Sequence, residues 1–212
     1  MTLLRRNVEG EVFDYQVLLD ALAGYRKPRD KITRLLASGA IVRLKKGLYC
    51  FGEAFRKEPL SREYMANLIY GPSYVSLEYA LSHHGLIPER VETVTSVTTR
   101  RSRYFETPFG TFSYRMLKGP RYAVGANLET AGKTPFLMAS PEKALADKVW
   151  TDKRFSGLRL SDYDAYLSDD LRIDREALNR FDYSRLQVIA AAYDSGKINN
   201  LIRHLKRLEE AP

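Results

Sequence analysis

The stretch from Arg26 to Gly52 most constrains the fold, because it predicts a short helix followed directly by a hairpin. The helix begins at Pro28, whose missing N–H costs nothing in a first helical turn. Gly39 suits the residue that ends the helix. Two short strands follow, Ala40–Leu44 and Leu48–Gly52, joined by a turn that contains a glycine.

An earlier helix is predicted from the spacing of apolar residues that starts at Phe13 and continues to Leu22. Asp14 is a suitable N-cap and Gly24 a suitable end for this helix. Residues 1–12 show no clear period, and we expect them to be irregular. The order helix, helix, hairpin predicts a minimal winged helix-turn-helix.

The predicted helix and hairpin carry most of the net charge of the chain. One acid, Asp30, stands among eight Lys and Arg residues, so that this stretch has a net charge of +7, against +8 for the whole chain. Clustered positive charge favours an anionic partner, and DNA binding relies on Lys and Arg to neutralise phosphates. The alternative is an ordinary solvated helix face and hairpin tip.

Individual roles follow from position on the helix. Arg34 points directly away from the apolar face and Lys31 flanks that direction, so we predict that both reach base edges in the major groove. Thr33 is also a predicted DNA-binding residue. The remaining basic residues are predicted to contact phosphates or the minor groove. They are Arg26, Lys27, Arg29, Arg43, Lys45 and Lys46. Aromatic residues of the same region, Tyr49, Phe51 and Phe55, are predicted to be core.

Residues 60–212 predict a second, mixed α+β domain with a small antiparallel-rich sheet and C-terminal helices, after a first domain at 1–56. Predicted strands include Val91–Thr98 and Thr134–Ala139, and Ser140 caps the next helix. Residues 119–133 predict a long loop or an irregular strand. Ser184 with Gln187 fits a capping box in the helical C-terminal region.

Charge is uneven in this second domain. Residues 100–121 have a net charge of +5, and residues 162–182 a net charge of −4. Two faces with two partners would explain this difference, although a mixed solvated surface is the commoner case.

Several classes of protein are disfavoured. No apolar run approaches the roughly 18–20 residues that span a bilayer, and no apolar segment follows the N-terminal charges as in a signal peptide. The single cysteine, Cys50, excludes an internal disulfide and suits a reducing compartment. We therefore expect a cytoplasmic protein that has no membrane contact.

No catalytic or metal site is predicted. Adjacent helical residues such as His83 and His84 point in different directions, and the only cysteine is distant in the chain. Glu142, Asp147 and Asp152 are interspersed with lysines, which is typical of surface ion pairs. We expect no cofactor.

Three segments in series resemble the AbiEi antitoxins, the DNA-binding half of bacterial abortive-infection toxin–antitoxin systems. They are RLKKGLYCFG at the end of the hairpin, the block Tyr74–Arg115, and ASPEKALADKVW from Ala139. The resemblance covers about residues 10–155. Its specific parts are the block and the Ser140–Leu145 motif.

The resemblance implies a phage-defence function without enzymatic activity. Such proteins bind inverted repeats in double-stranded operator DNA of their own promoter through a winged helix, and repress it. Their C-terminal domain counteracts a nucleotidyltransferase toxin. In the family a basic stretch corresponds to Arg100, Arg101 and Arg103, which implies that these residues extend the DNA footprint.

Two other functions stay open on the residues alone. One is a nuclease-like enzyme that holds nucleic acid through the basic module. The other is an adaptor whose basic module binds a protein or RNA, because a fold does not fix a function.

Overall fold

The protein is a mixed α+β chain in a computed structural model that describes residues 2–210. Met1 and residues 211–212, which the predicted domain ranges include, lie outside the described residues. Eleven α-helices occur in the described range: α1 (Thr2–Asn7), α2 (Tyr15–Ala21), α3 (Pro28–Ala37), α4 (Arg62–Ile69), α5 (Leu77–His83), α6 (Pro120–Ala123), α7 (Pro141–Thr151), α8 (Asp162–Ala165), α9 (Arg175–Leu178), α10 (Tyr183–Tyr193) and α11 (Gly196–Glu210).

Nine strands in the same range form two sheets. The strands are β1 (Val12–Asp14), β2 (Ile41–Lys45), β3 (Leu48–Phe51), β4 (Ser73–Val75), β5 (Val94–Thr98), β6 (Arg103–Thr107), β7 (Gly110–Met116), β8 (Ala126–Ala131) and β9 (Thr134–Ala139). β1, β3 and β2 form a small antiparallel sheet in that order, and the other six form a mixed sheet.

Local signals located α3 and the β2–β3 hairpin correctly. Pro28 opens α3, and Gly39 adopts a φ of 68° just after it. Gly47 has a φ of 85° in the turn between β2 and β3, a backbone conformation that glycine adopts without steric cost.

The prediction for the first 22 residues was partly wrong. Phe13 belongs to β1, where it pairs with Tyr49 of β3, and α2 begins only after Asp14. Asp14 is the N-cap, as predicted, and accepts a hydrogen bond of 2.8 Å from the backbone N–H of Val17. Residues 2–7 form α1 rather than an irregular segment, because Leu4 is buried against the small sheet and its helices.

The small sheet packs on both of its faces. Tyr49 and Phe51 of β3 belong to a cluster with the apolar residues of α1, α2 and α3. Leu48 and Cys50, which alternate with them, belong to the larger core shared with the rest of the chain. The N-terminal helices and the larger core therefore lie on opposite faces of this sheet. The boundary between residues 56 and 60 stays a prediction.

Tyr49 and Phe51 are core residues as predicted, whereas Phe55 is 38% exposed. It lies in a short 3-10 turn, Glu53–Phe55, after the last strand of the small sheet. Because β3 ends at Phe51, Phe55 is not one of the strand residues that point into the core, and the prediction that it is a core residue was wrong.

The thiol of Cys50 is expected to react slowly in the folded protein. Burial raises the pKa of Cys50 from 9.0 to about 11, although Arg56 opposes this, and thiolate is the reactive form. A pKa higher by about two units means that the folded protein has about 100-fold less thiolate at pH 8 than the unfolded chain, in addition to any steric protection. Reaction with Ellman's reagent, with and without urea, measures this. Equal rates in the two conditions would contradict the burial of Cys50.

The larger sheet has the strand order β6-β7-β5-β4-β9-β8. β4 pairs in parallel with β9, and β5 in parallel with β7, so the sheet is mixed. Its other three strand pairs are antiparallel, in agreement with the prediction of an antiparallel-rich sheet. With six strands the sheet is larger than predicted, because parallel neighbours leave no local turn signal in the sequence.

The C-terminal half also departs from the sequence prediction in detail. Residues 119–133, predicted to be a long loop or an irregular strand, contain the strand β8, which agrees with the second alternative, and also the short helix α6. Asp182, and not Ser184, caps α10, because its carboxylate accepts hydrogen bonds from the backbone of Ser184 and Arg185. Among residues 2–210 there is no helix long and apolar enough to cross a membrane.

Candidate nucleic-acid interface

Helix α3 turns its basic face away from the core. Ile32 and Leu35 are buried against the small sheet, while Arg29 and Arg34 are exposed. Thr33 is also exposed, but its hydroxyl donates a hydrogen bond of 3.2 Å to the carbonyl oxygen of Arg29. The two arginines are thus the most available cations of this helix.

Cations beside the start of α3 differ in freedom. Arg26 and Lys27 are exposed, and Lys27 forms a 4.0 Å ion pair with Asp30. Both partners of this pair are mostly in solvent, where such pairs contribute little to stability. Lys31, predicted to point outward, is half-buried, with its ammonium 5.2 Å from the ring centroid of Tyr25.

The hairpin β2–β3 presents Arg43 and Lys46 to solvent. Lys45 is different, since its Nζ donates a hydrogen bond to the carbonyl oxygen of Ile69 at the end of α4. Burial and the nearby charges of Arg100 and Arg103 hold the pKa of Lys45 below its usual value. The hydrogen bond to Ile69, together with the charges of these two arginines, places the hairpin tip beside the basic residues 100–103.

The ring of Tyr70 lies at the centre of the basic residues 100–103. The guanidinium carbons of Arg100 and Arg103 lie 5.6 and 5.9 Å from the centre of its ring. Phe105 and Tyr114 pack against the same ring, at centroid distances of 5.5 and 5.3 Å. Cation–π contacts of this kind hold a guanidinium in place while its N–H groups stay available to an anion.

The predicted DNA-binding residues therefore form two groups. In one group Lys45 lies close to Arg100 and Arg103, although Lys45 and Arg100 are 55 positions apart in the sequence. Arg101, between the two arginines in sequence, is exposed. The other group is the exposed arginines of α3, a helix that packs on the opposite face of the small sheet. The exposed hairpin residues Arg43 and Lys46 belong to the sheet that lies between these groups.

Tyr70 is the functional candidate that sequence reasoning missed. It directly follows α4, and its local sequence indicates only the apolar end of a helix. Its part in the site depends on the packing of β6 and β7 against it, a contact for which the sequence offers no local signal.

The acids predicted to form surface pairs on α7 are in fact largely buried. Ser140 caps this helix as predicted, and its hydroxyl donates a 2.7 Å hydrogen bond to Glu142. Glu142 also accepts a 3.0 Å hydrogen bond from the backbone N–H of Asp182 and lies 3.6 Å from Arg185. Asp152 is half-buried and 3.5 Å from Lys148.

Lys143 and Asp147 form an ion pair of 2.6 Å with no solvent exposure of either side chain. Asp147 also accepts hydrogen bonds from the hydroxyls of Ser76 (2.7 Å), Tyr74 (3.1 Å) and Tyr193. Burial lowers the pKa of Lys143, although Asp147 opposes this, and burial with the charge of Asp147 raises the pKa of Tyr74. The Lys143–Asp147 network is satisfied within the protein, as expected of a structural element.

A search against protein-family models found no match for this chain, and no curated protein is significantly similar to it.

Proposed function

We propose that the chain is a DNA-binding autorepressor and antitoxin of a toxin–antitoxin system. In this proposal α2, α3 and the β2–β3 hairpin act as a winged helix-turn-helix. The exposed face of α3, with Arg29 and Arg34, enters the major groove, and the hairpin contacts the neighbouring backbone. A helix with outward cations beside a basic hairpin supports this arrangement.

The observation that carries the proposal is the convergence of Lys45, Arg100 and Arg103. Lys45 is hydrogen-bonded to the carbonyl oxygen of Ile69, and the two arginines lie over the ring of the next residue, Tyr70. Cations held this close together repel one another, and the pKa of Lys45 is lowered by burial and, to a smaller extent, by the two arginines. A phosphate group next to them would relieve the repulsion. Nucleic-acid backbones supply such phosphates in a row, so this group suits an extension of the footprint beyond the hairpin.

The antitoxin part of the proposal rests on the resemblance to AbiEi proteins and on the charge of the C-terminal region. Most of the acidic side chains between residues 162 and 182 are exposed, for example Asp169, Asp170 and Glu176. An acidic surface is repelled by DNA and would remain free for another partner. We propose the cognate nucleotidyltransferase toxin as the protein that this domain counteracts.

An electrophoretic mobility shift titration tests the DNA part. The probe is the double-stranded fragment upstream of the gene that contains inverted repeats, and the matched control carries the same bases with the repeats scrambled. We expect at least about 1,000-fold tighter binding to the repeats at physiological salt. The logarithm of the binding constant should fall with log salt with a slope of about −5, as for six neutralised phosphates.

Equal affinity for the two probes would contradict operator recognition and favour an adaptor for other partners. The antitoxin part is tested separately, by inducing a gene for the proposed nucleotidyltransferase toxin in cells with and without this chain. Growth arrest that is unaffected by the chain would overturn that part alone.

A further inference from the structure

Two histidines and a carboxylate meet at one edge of the larger sheet, away from the basic residues of the interface. His83 and His84 lie at the end of α5, and Glu129 lies on β8. Each side chain has a ligand atom within 4.8 Å of those of the other two. The third ligand does not come from residues near the histidines in the sequence. It is Glu129, which lies 46 positions after His83 in the β8–β9 hairpin.

The ring of His84 is oriented as in metal-binding histidines. Its Nε2 lies 2.8 Å from the carbonyl oxygen of Ala139, at the end of β9. Because a carbonyl can only accept, Nε2 must carry the proton, and the free lone pair of the neutral ring is on Nδ1. Metal-bound histidines usually donate their second ring N–H to a carbonyl or carboxylate in this way.

His83 and Glu129 are spaced like two ligands of one ion. The Nε2 of His83 is 3.2 Å from Oε2 of Glu129. Bonds of about 2.0–2.2 Å around a tetrahedral ion give a ligand-to-ligand distance of roughly 3.4 Å. The two side chains are 39% and 27% exposed, so an ion can reach them from solvent.

The surroundings of the cluster add negative charge. Glu63 lies near enough to His83 to interact with it electrostatically, and accepts a hydrogen bond from the hydroxyl of Tyr79. Together with Glu129, it would compensate the two charges of a divalent cation.

We propose that His83, His84 and Glu129 bind a divalent first-row transition-metal ion of the zinc type. Two imidazoles and one carboxylate favour Zn²⁺, Co²⁺ or Ni²⁺ over Mg²⁺ and Ca²⁺, which prefer oxygen ligands throughout. Three protein ligands leave one coordination position for water. The ion would tie the end of α5 to β8, the strand at the edge of the larger sheet.

The test uses untagged full-length protein that has been dialysed against a chelator. Calorimetric titration with Zn²⁺ should give one ion per chain, and titration with Mg²⁺ no binding heat. Co²⁺ should produce visible d–d absorption with nitrogen ligands. We expect His84→Ala and Glu129→Gln each to weaken Zn²⁺ binding by more than about tenfold.

Glu106→Gln is the matched control, because Glu106 is an exposed glutamate on the other hairpin, in β6, and should bind Zn²⁺ as wild type does. Circular dichroism establishes that each variant is folded. Glu129 is on an edge strand, so Glu129→Gln decides the question even if His84→Ala fails to fold. Absence of Zn²⁺ binding by wild type, or wild-type affinity in Glu129→Gln, would overturn the proposal.

Discussion

Replacement of Asp147 by alanine is expected to lower the free energy of unfolding by about 3–5 kcal/mol. The change leaves the ammonium of Lys143 in the core without its carboxylate, and both side chains are fully buried in the folded protein. The hydroxyls of Tyr74 and Ser76 lose their acceptor at the same time. Small domains have a total stability of only about 5–15 kcal/mol, so little of the variant should stay folded at moderate urea concentrations.

Urea unfolding followed by circular dichroism measures this change. The matched control is Glu210→Ala, which removes the acid from an exposed Lys206–Glu210 pair of the same i,i+4 spacing and should change stability little. A double variant, Lys143→Met with Asp147→Leu, should recover the part of the loss that comes from the unpaired ammonium, because an apolar pair leaves no unpaired charge, while the hydroxyls of Tyr74 and Ser76 still lack their acceptor. If Asp147→Ala unfolded at the wild-type urea midpoint, the buried network would have no structural role.

Elements set by local chemistry could be predicted from the sequence. Pro28 begins α3 and Gly39 follows its end, Gly47 lies in the turn between β2 and β3, and Ser140 caps α7. In each case the conformation depends on the residue itself or on neighbours three or four positions away. The mixed α+β class followed from the same local signals.

Features that depend on distant pairing could not be predicted. Phe13 continues the apolar period of α2, yet hydrogen bonds to β3 draw it into a strand. The spacing of acids and lysines on α7 is that of a surface helix, but this helix is covered by α5, α10 and α11. Burial of that helix reverses the interpretation of the same charges, from exposed ion pairs to the Lys143–Asp147 network.

The candidate interface shows the same limit. Sequence could name the cations of residues 26–46 and 100–103, because charge is a property of each residue. It could not show that Lys45 is tied to Ile69, or that Tyr70 holds Arg100 and Arg103. The structure thus separates cations that are free in solvent from cations that other residues hold, and the effect of this difference on DNA binding can be measured.

Reversal of charge at Arg34 and Lys46 is expected to weaken operator binding by at least about 100-fold at 0.1 M salt. Both side chains are exposed, one on α3 and one in the hairpin turn. Loss of the phosphate contact of Lys46 removes about one unit of salt slope, which corresponds to roughly tenfold in affinity at this salt concentration. Loss of the base contact of Arg34 costs about 1–3 kcal/mol, which is roughly tenfold or more. The Arg34→Glu, Lys46→Glu variant should therefore also show a slope about one unit less steep.

The control for this variant carries Lys153→Glu and Arg207→Glu, an equal charge change at exposed positions after α7 and in α11. It should bind the operator within a few-fold of wild type, since neither residue belongs to the candidate interface and salt screens exposed charges that do not contact the DNA. Among single changes, Lys46→Met should weaken binding more than Lys45→Met, because the ammonium of Lys45 is already bonded to the carbonyl of Ile69. Wild-type affinity in the Arg34→Glu, Lys46→Glu variant would show that DNA, if bound, contacts a different surface.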